Sequence, residues 1–361
     1  MQKRIYNFAA GPSTLPLEVL EEIQQELLNY DGSGMSVMEM SHRSKMYLNV
    51  FEETKNALRR VLNIPENYEI LFLHGGATGQ FSMVPLNLGK TGKADYIFTG
   101  NFAKKAAQEA AKFIDVNIAY DGKDNNYTLI PEQEELKLSG DADYVHICAN
   151  NTIYGTEWQD YPDTGNIPLV ADMSSDILSK PIDVSRFGLI YAGAQKNMGI
   201  AGLAVVIARK DLLESHRDNI PVLMEYNTMV KNDSMYNTPN TFSIYVLGKV
   251  VKWIEALGGL KVMEERNRKK AALLYDYLDG SNFYRALAAK SARSLMNVTF
   301  RTPNEELDAL FVKQSSAAGL SNLKGHRVAG GLRASIYNAM SYEGVQALVD
   351  FMKAFEKENA R

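Results

Sequence analysis

The sequence predicts an α/β fold in which a mainly parallel sheet is flanked by helices and followed by a smaller C-terminal α/β domain. Short apolar runs alternate with helix-like segments between residues 68 and 208, a pattern typical of parallel sheets. The pattern changes near residues 255–260, and a chain of 361 residues usually forms two domains. Ligands of such sheets bind beyond the carboxyl ends of the strands, so functional residues are expected there.

The first elements follow from periodicity and turn residues. Residues 1–14 are expected to be extended. Helical spacing of apolar residues marks 15–30 and 45–62, and a Gly/Met/Ser loop at 32–43 separates these two helices. The run YEILFL at 68–73 is short, apolar and rich in strand-forming residues, so it predicts the first strand of the sheet.

The rest of the chain continues the alternation and then changes. Further strands are predicted at ADYIFTG, DVNIAY, YVHICAN, IPLVADM, LIYAGA and LAVVIA, with the helix KKAAQEAAKF after the first of them. Two long helices broken at Gly258–Gly259 precede the strand SLMNVTF, the helix ELDALFVKQSSAAGL and the strand GLRASIY. We therefore expect an extended segment at 1–14 that packs with the small domain, a large domain at 15–257 and a small domain at 258–361.

Composition excludes several classes of protein. The hydrophobic content of 45%, the charged content of 23% and the net charge of −4 fit a globular protein without a basic field for nucleic acid or membranes. Cys148 is the single cysteine, which rules out a disulfide within the chain, and its apolar run predicts a buried core residue. The sequence has no apolar run of transmembrane length and no secretory signal at its start. A cytoplasmic location is expected.

Lys196 and Asp172 each follow an apolar strand. A lysine in a packed, Gly-rich turn at a strand end would have a lowered amine pKa, as a Schiff-base lysine requires. A carboxylate at a second strand end could keep a pyridine nitrogen protonated, so the pair suits pyridoxal phosphate. Taken alone, an Asp–Lys pair of this kind is more often two ordinary loop charges, and the flanking segments are needed to favour the cofactor.

Other segments add weaker signals. HGGATGQF could cradle a phosphate at a helix N-terminus, although Gly-rich turns are common. Phe102 could stack on a flat ring or pack in the core, and Thr152 could bind a ring substituent or cap a turn. Arginines suit carboxylates and phosphates, and the sequence offers them in the pairs His42–Arg43 and His326–Arg327 and at Arg333. Metal-ligand spacing and a GxSxG nucleophile motif are both absent.

Together these segments resemble the phosphoserine aminotransferase family of fold-type I, class-V pyridoxal-phosphate enzymes. The resemblance is carried by NFAAGPSTLP, SVMEMSHR, HGGATGQF, DMSSDILSKPIDVSRFGLIYAGAQKNMGIAGL, MYNTPNTF and KGHRVAGGLRASIYNAM. It implies a fold-type I transferase whose large domain binds the cofactor. It also implies a cytoplasmic homodimer, with the active site shared across the interface, that acts in serine biosynthesis.

The resemblance implies a role for each matching residue. Lys196 would bind the cofactor covalently and move protons, and Asp172 would hold the pyridinium nitrogen. The remaining cofactor contacts would come from Ala77, Thr78, Phe102, Thr152 and Gln195, and from Asn237 and Thr238 of the neighbouring subunit. Arg333 would hold the α-carboxylate of the substrate. His42, Arg43, His326 and Arg327 would surround its distal phosphate, or the side-chain carboxylate of glutamate.

Three positions depart from the family pattern. Many members have Trp at Phe102, Arg at Thr78 and Ser at Ala10. Of these, Thr78 matters most, because the phosphate side of the site then lacks the cation that Arg would supply.

The implied reaction is a ping-pong transamination from glutamate to 3-phosphohydroxypyruvate, and the phosphorylated hydroxythreonine of pyridoxine biosynthesis is a second implied substrate. The alternatives are another class-V enzyme, whether an aminotransferase for a different substrate or a lyase such as a cysteine desulfurase, and a non-catalytic cofactor-binding protein. A desulfurase would need a reactive cysteine in a mobile loop, which Cys148 in an apolar strand does not supply.

Overall fold

A computed structural model describes residues 4–214 and 219–360 of the chain. The helices, named α1 to α9 in chain order, are Leu17–Glu26, Lys45–Val61, Gly76–Leu88, Asn101–Ala110, Tyr226–Lys231, Thr241–Ala256, Leu260–Gly280, Glu305–Ala317 and Tyr342–Asn359. The strands, named β1 to β14, are Tyr6–Asn7, Tyr68–Leu73, Lys93–Phe98, Asp115–Asp121, Val145–Cys148, Asn150–Asn151, Thr156–Glu157, Leu169–Asp172, Leu189–Gly193, Ala204–Arg209, Arg285–Ala286, Asn297–Arg301, Leu320–Ser321 and Leu332–Ser335.

The central sheet has seven strands in the order β2-β10-β9-β8-β5-β3-β4. All neighbouring pairs are parallel except those of β10, which runs antiparallel to both β2 and β9. The predicted mainly parallel α/β sheet is therefore confirmed. Strand β5 lies beside β8, and β8 lies beside β9, so their carboxyl ends meet at one edge of the sheet.

Both faces of this sheet are buried. In β2, Ile70 and Phe72 belong to one hydrophobic cluster, which also holds residues of α2 and α6, whereas Leu71 and Leu73 belong to a second cluster with residues of α3 and α4. Successive side chains of a strand point to opposite faces, so a strand covered on both sides reads as a continuous apolar run. This explains why the strands were visible in the sequence.

The turn from β2 into α3 depends on glycine. Gly75 and Gly76 have φ values of +88° and +58°, which side chains rarely adopt, and α3 begins at Gly76. The preceding helix, α2, begins where Ser44 accepts a hydrogen bond from the Tyr47 amide, close to the predicted start at residue 45. Helix α1 is shorter than predicted, since it covers Leu17–Glu26 and not the whole of 15–30.

The C-terminal part has its own core. The three-stranded sheet β11-β12-β14 packs with residues of α7, α8 and α9 in a third hydrophobic cluster. Phe8 belongs to this cluster, and β1 pairs in parallel with β13, so the N-terminal segment lies against the C-terminal part. The expected helix break occurs at Gly258–Gly259, between α6 and α7. The boundary at residue 257 stays a prediction. Within the described ranges, no helix has the length and apolarity that crossing a membrane would require.

Candidate active site

Lys196 and Asp172 lie at the carboxyl-end edge of the sheet. Asp172 is the last residue of β8, and Lys196 lies in the turn that follows β9. Both line a cavity of about 520 Å³. Its other walls are Ala10, Gly11, Pro12, Gly75, Gly76, Ala77, Thr78, Phe81, Phe102, Cys148, Asn150, Thr152, Ile153, Ser174, Ser175, Gln195, Ala201, Gly202, His326 and Arg333.

The amine of Lys196 is enclosed, although part of its stem faces the cavity. Its Nζ donates a hydrogen bond to Thr152 Oγ1 at 2.6 Å and lies 5.6 Å from the centroid of the Phe102 ring. Burial lowers the pKa of Lys196 from that of a free lysine, and the carboxylate of Asp172 partly opposes this effect. A lysine whose neutral form is favoured can act as a nucleophile and as a base.

Asp172 is held by a neighbour that was missed in the sequence. Ser174 donates to Asp172 Oδ1 through its backbone amide at 2.9 Å and through its hydroxyl at 2.6 Å. The side chain of Asp172 is buried, and burial raises its pKa against the opposing effects of the Ser174 hydrogen bonds and Lys196. Ser174 Oγ also accepts a hydrogen bond from the Gly193 amide at 3.0 Å, which links Asp172 to the end of β9.

A helix N-terminus forms another wall. Ala77 and Thr78 lie in the first turn of α3, directly after the Gly75–Gly76 turn. Backbone amides in a first helical turn have no partners within the helix, and the helix dipole is positive there, so this wall suits an anion. Gln195 precedes Lys196 and reaches back over β9, because a side chain at Gly193 would come within 2.7 Å of Gln195 Oε1.

Two residues from the C-terminal part complete the cavity. Arg333, in β14, donates from Nη1 to the Thr152 carbonyl oxygen at 3.0 Å, and its buried Nε has no hydrogen-bond partner. Burial lowers the pKa of His326, and the charges of Arg333, Arg327 and Lys105 lower it further. A buried N–H without a partner is costly, so Arg333 is arranged for an acceptor that a ligand would bring.

The other predicted residues lie outside this cavity in the single chain. Arg43 and Arg327 are exposed, as are Asn237 and Thr238. The backbone oxygen of Thr238 lies 3.1 Å from His74 Nε2. His42 is half-buried in the turn before α2, and its Nε2 is buried without a partner. His42 and Arg43 therefore do not line the cavity that His326 and Arg333 line in one copy of the chain. They precede α2, which packs mainly on α6.

The N-terminal segment supports the Lys196 turn. Ser13 donates from its amide to the Gln195 oxygen at 3.0 Å and from its hydroxyl to the Lys196 oxygen at 2.5 Å. Tyr337 donates its hydroxyl to the Ala10 oxygen at 2.7 Å. A side chain at Gly11 would meet Lys196 Cγ at 3.2 Å. The AAGPS run carries part of the family resemblance, but its spacing does not predict these contacts.

The cavity fits pyridoxal phosphate. It combines an enclosed lysine amine, a buried carboxylate, an aromatic ring and a helix N-terminus for a phosphate. No cluster of His, Cys, Asp and Glu that could hold a metal occurs in the described residues. Cys148, predicted to be a core residue, is buried, and burial raises the pKa of its thiol well above the usual range.

Sequences of known proteins align with nearly the whole chain. The family described as aminotransferase class-V matches residues 5–348. The phosphoserine aminotransferase of Desulfatibacillum aliphaticivorans is 56% identical and that of Lysinibacillus sphaericus is 54% identical, and each alignment covers 99% of this chain and 100% of the relative.

Solved structures of phosphoserine aminotransferases have the same fold as this chain. Phosphoserine aminotransferase from Bacillus circulans subsp. alkalophilus has a TM-score of 0.97 at 49% identity, covering 98% of this chain and 99% of that one. The enzyme from Trichomonas vaginalis with bound pyridoxal phosphate has a TM-score of 0.93 at 42% identity, covering 97% and 100%. The chain therefore belongs to the class-V aminotransferases and, among them, to the phosphoserine aminotransferase family.

Proposed function

We propose that this chain transfers an amino group between glutamate and 3-phosphohydroxypyruvate, using pyridoxal phosphate, and so forms phosphoserine for serine biosynthesis. The observation that carries the proposal is that Lys196, Asp172 and Arg333 line one cavity. The phosphorylated hydroxythreonine of pyridoxine biosynthesis stays a predicted second substrate.

When bound, pyridoxal phosphate supplies an electron sink for the bond between Cα and its hydrogen. Asp172 would hold the proton of the ring nitrogen, and its two hydrogen bonds from Ser174 keep its carboxylate in place. Lys196 would accept a proton at Nζ from the substrate Cα and return it to the carbon on the other side of the substrate nitrogen. Thr152 holds this amine at 2.6 Å and so limits where the proton can be delivered.

The remaining cavity residues would bind and orient the substrate. Arg333 would bind the α-carboxylate through its unpartnered Nε, while Nη1 stays on the Thr152 oxygen. Phe102 would stack on the cofactor ring, and the first turn of α3, with Ala77 and Thr78, would hold the cofactor phosphate. Gln195 would add a phosphate contact beside the lysine. His326 lines the same cavity and lies close enough to feel the charge of Arg333, so it would bind the distal group of the substrate.

A second copy of the chain would complete the site. His42, Arg43, Asn237 and Thr238 lie outside the cavity of their own chain, so we infer that they act in the cavity of a partner subunit. Arg43, with His42, would face the distal phosphate together with His326 and Arg327. Asn237 and Thr238 would contact the cofactor phosphate. A homodimer with two shared sites follows from this assignment.

A cysteine desulfurase fits the site poorly. That chemistry needs a thiolate on a segment that can move, whereas Cys148 is fixed in β5 in the middle of the sheet. Its Sγ donates to the Asn150 oxygen at 3.4 Å, and burial raises the pKa of its thiol. A non-catalytic cofactor-binding protein would have no use for an unpartnered Arg333 Nε beside the lysine.

Two half-reactions test the proposed activity. Glutamate added to the holoenzyme should convert the cofactor spectrum to that of the aminated form, and 3-phosphohydroxypyruvate should restore the original spectrum. Aspartate, alanine and pyruvate serve as comparison substrates. A holoenzyme that responds to glutamate but recovers equally well with pyruvate would contradict the assigned acceptor.

Mixing inactive variants tests the shared site. Arg43→Ala and Lys196→Ala chains, denatured and refolded together, should form hybrids in which one of the two sites has every native residue. Random pairing should restore about a quarter of wild-type activity. The control mixture of Arg333→Ala with Lys196→Ala should stay inactive, because both residues belong to the same chain's cavity. Restoration in neither mixture would contradict the assignment of Arg43 to the partner's site.

A further inference from the structure

A second cavity adjoins the one that holds Lys196. Its volume is also about 520 Å³, and Thr78, Phe81 and Phe102 line both cavities. The walls that belong to the second cavity alone are Ser82, Lys105, Gln108, Glu109 and Lys112. Phe102 therefore borders both the proposed cofactor position and a space whose charged side chains have no role in the mechanism above.

Lys105 is the available cation of this space. Glu109 is already engaged by the Lys112 amine at 2.5 Å and by the Ser82 hydroxyl at 3.0 Å. Lys105 is exposed and, within residues 4–214 and 219–360, forms no ion pair. Its Nζ lies 5.7 Å from the centroid of the Phe102 ring, a distance close to the 5.6 Å of Lys196 Nζ from the same ring.

The charge of Lys105 also acts on His326, which lines the first cavity. It is one of the charges, after burial, Arg333 and Arg327, that lower the pKa of His326. Lys105 therefore shares a cavity wall with Thr78, which carries no charge, and its own charge also acts on His326. A flexible four-carbon stem lets an exposed ammonium move a few ångströms toward an anion at little cost.

We propose that Lys105 is a specificity-determining residue whose ammonium binds the distal phosphate of the phosphorylated substrate. The proposal rests on the proposed function, since it assigns a residue to the distal group of that substrate. A phosphate monoester carries a charge of about −1.5 to −2 at neutral pH, whereas the γ-carboxylate of glutamate carries a single charge. A cation at this place therefore favours the phosphorylated substrate over glutamate in a pocket that must accept both.

Lys104 offers a matched control. It is the adjacent lysine of the same helix turn, it has the same charge, and it lines neither cavity. Residues next to each other on a helix point about 100° apart, so Lys104 and Lys105 cannot serve the same anion equally. Both are compared as glutamine variants of the holoenzyme, with Lys105→Arg as the conservative replacement.

Steady-state kinetics with phosphoserine and with glutamate test the proposal. Lys105→Gln should raise the KM for phosphoserine about fivefold to thirtyfold, the effect of losing one charge-assisted contact, and change the KM for glutamate less than about threefold. The kcat values should change little. Lys105→Arg should keep a KM for phosphoserine near that of the wild type, and Lys104→Gln should match the wild type with both substrates.

Three outcomes would overturn the role of Lys105. These are an unchanged KM for phosphoserine in Lys105→Gln, an equal rise for both substrates, and an equal loss in Lys104→Gln. The glutamate half-reaction of the wild-type holoenzyme is measured first. If the wild type itself does not aminate 3-phosphohydroxypyruvate, the proposed function fails, and that result is distinct from a failure at Lys105.

Discussion

The hydroxyl of Ser174 is a single atom on which two parts of the active site depend. It donates to Asp172 Oδ1 at 2.6 Å and accepts from the Gly193 amide at 3.0 Å. Ser174→Ala removes one of the two hydrogen bonds that Ser174 gives to the carboxylate, and it leaves a buried N–H at the end of β9 without an acceptor. The substitution removes no bulk beyond one oxygen, so we expect the fold to persist.

The size of the effect follows from these two contacts. A hydrogen bond to a charged group contributes about 1.5–3 kcal/mol, and stranding a buried N–H costs about 1–3 kcal/mol. The first loss acts on Asp172, whose pKa is already raised by burial, and raises it further. We expect kcat/KM to fall by about tenfold to a hundredfold. The second loss lowers the free energy of unfolding. A loss of 1 kcal/mol lowers Tm by about 2–4 °C in chains of 150–250 residues, so the decrease in this longer chain should be small.

The assay compares Ser174→Ala with Ser175→Ala across pH. Ser175 is equally buried, but its hydroxyl exchanges hydrogen bonds with Asn150 and touches neither Asp172 nor Gly193. Asp172 must be ionised to hold the ring proton, so a higher pKa moves the acid limb of the rate profile to higher pH in Ser174→Ala alone. A Ser174→Ala rate within twofold of the wild type, or an equal loss in Ser175→Ala, would refute this account of Asp172.

Three further predictions concern single residues. Lys196→Ala should abolish turnover and the borohydride-reducible link to the cofactor, and a variant that keeps both would show that another amine serves. Asp172→Asn should lower turnover by several orders of magnitude in a folded protein with normal circular dichroism, since an amide cannot hold the ring proton by charge. Lys270 is buried with its Nζ within 3.0 Å of the backbone oxygens of Ile336, Tyr337 and Met340, and burial lowers its pKa to about 7. The folded chain therefore binds fewer protons than the unfolded chain above pH 7. The free energy of unfolding of the wild type, relative to that of Lys270→Met, should rise by up to about 1.4 kcal/mol per pH unit between pH 7 and 10. Denaturant melts in which this difference is flat or falls with pH would contradict the prediction.

The sequence predicted the strands well because the sheet is covered on both faces. Short continuous apolar runs then mark each strand, and β2 was placed at its observed bounds, Tyr68–Leu73. The direction of β10 was not foreseen. Its connection from β9 spans residues 194–203 and contains no helix, and so short a link joins antiparallel strands more readily than parallel ones. The length of this connection was the signal that could have predicted it.

Contacts between distant parts of the chain could not be predicted from local pattern. Helix α9 was not predicted, although Ser341 caps it by accepting from the Gly344 amide, and α1 was drawn too long. The role of Ser174 cannot be predicted from its position, because a serine after a strand has many uses. The bond from Tyr337 to Ala10 joins residues more than 300 positions apart, which the parallel pairing of β1 with β13 and the burial of Phe8 in the C-terminal core bring together.

Thr152 explains why the site needs both parts of the chain. Its hydroxyl accepts from Lys196 Nζ at 2.6 Å, and its carbonyl oxygen accepts from Arg333 Nη1 at 3.0 Å. One residue, in the turn between β6 and β7, therefore links the proton-transfer group to the proposed carboxylate-binding group. Arg333 comes from β14, and the Lys196 turn is held by Ser13, which follows a strand paired to the C-terminal part. A substrate carboxylate bound at Arg333 would thus place its Cα relative to Lys196 only while both parts are packed together, so substitutions that loosen the pairing of β1 with β13 should lower kcat without touching a single substrate contact.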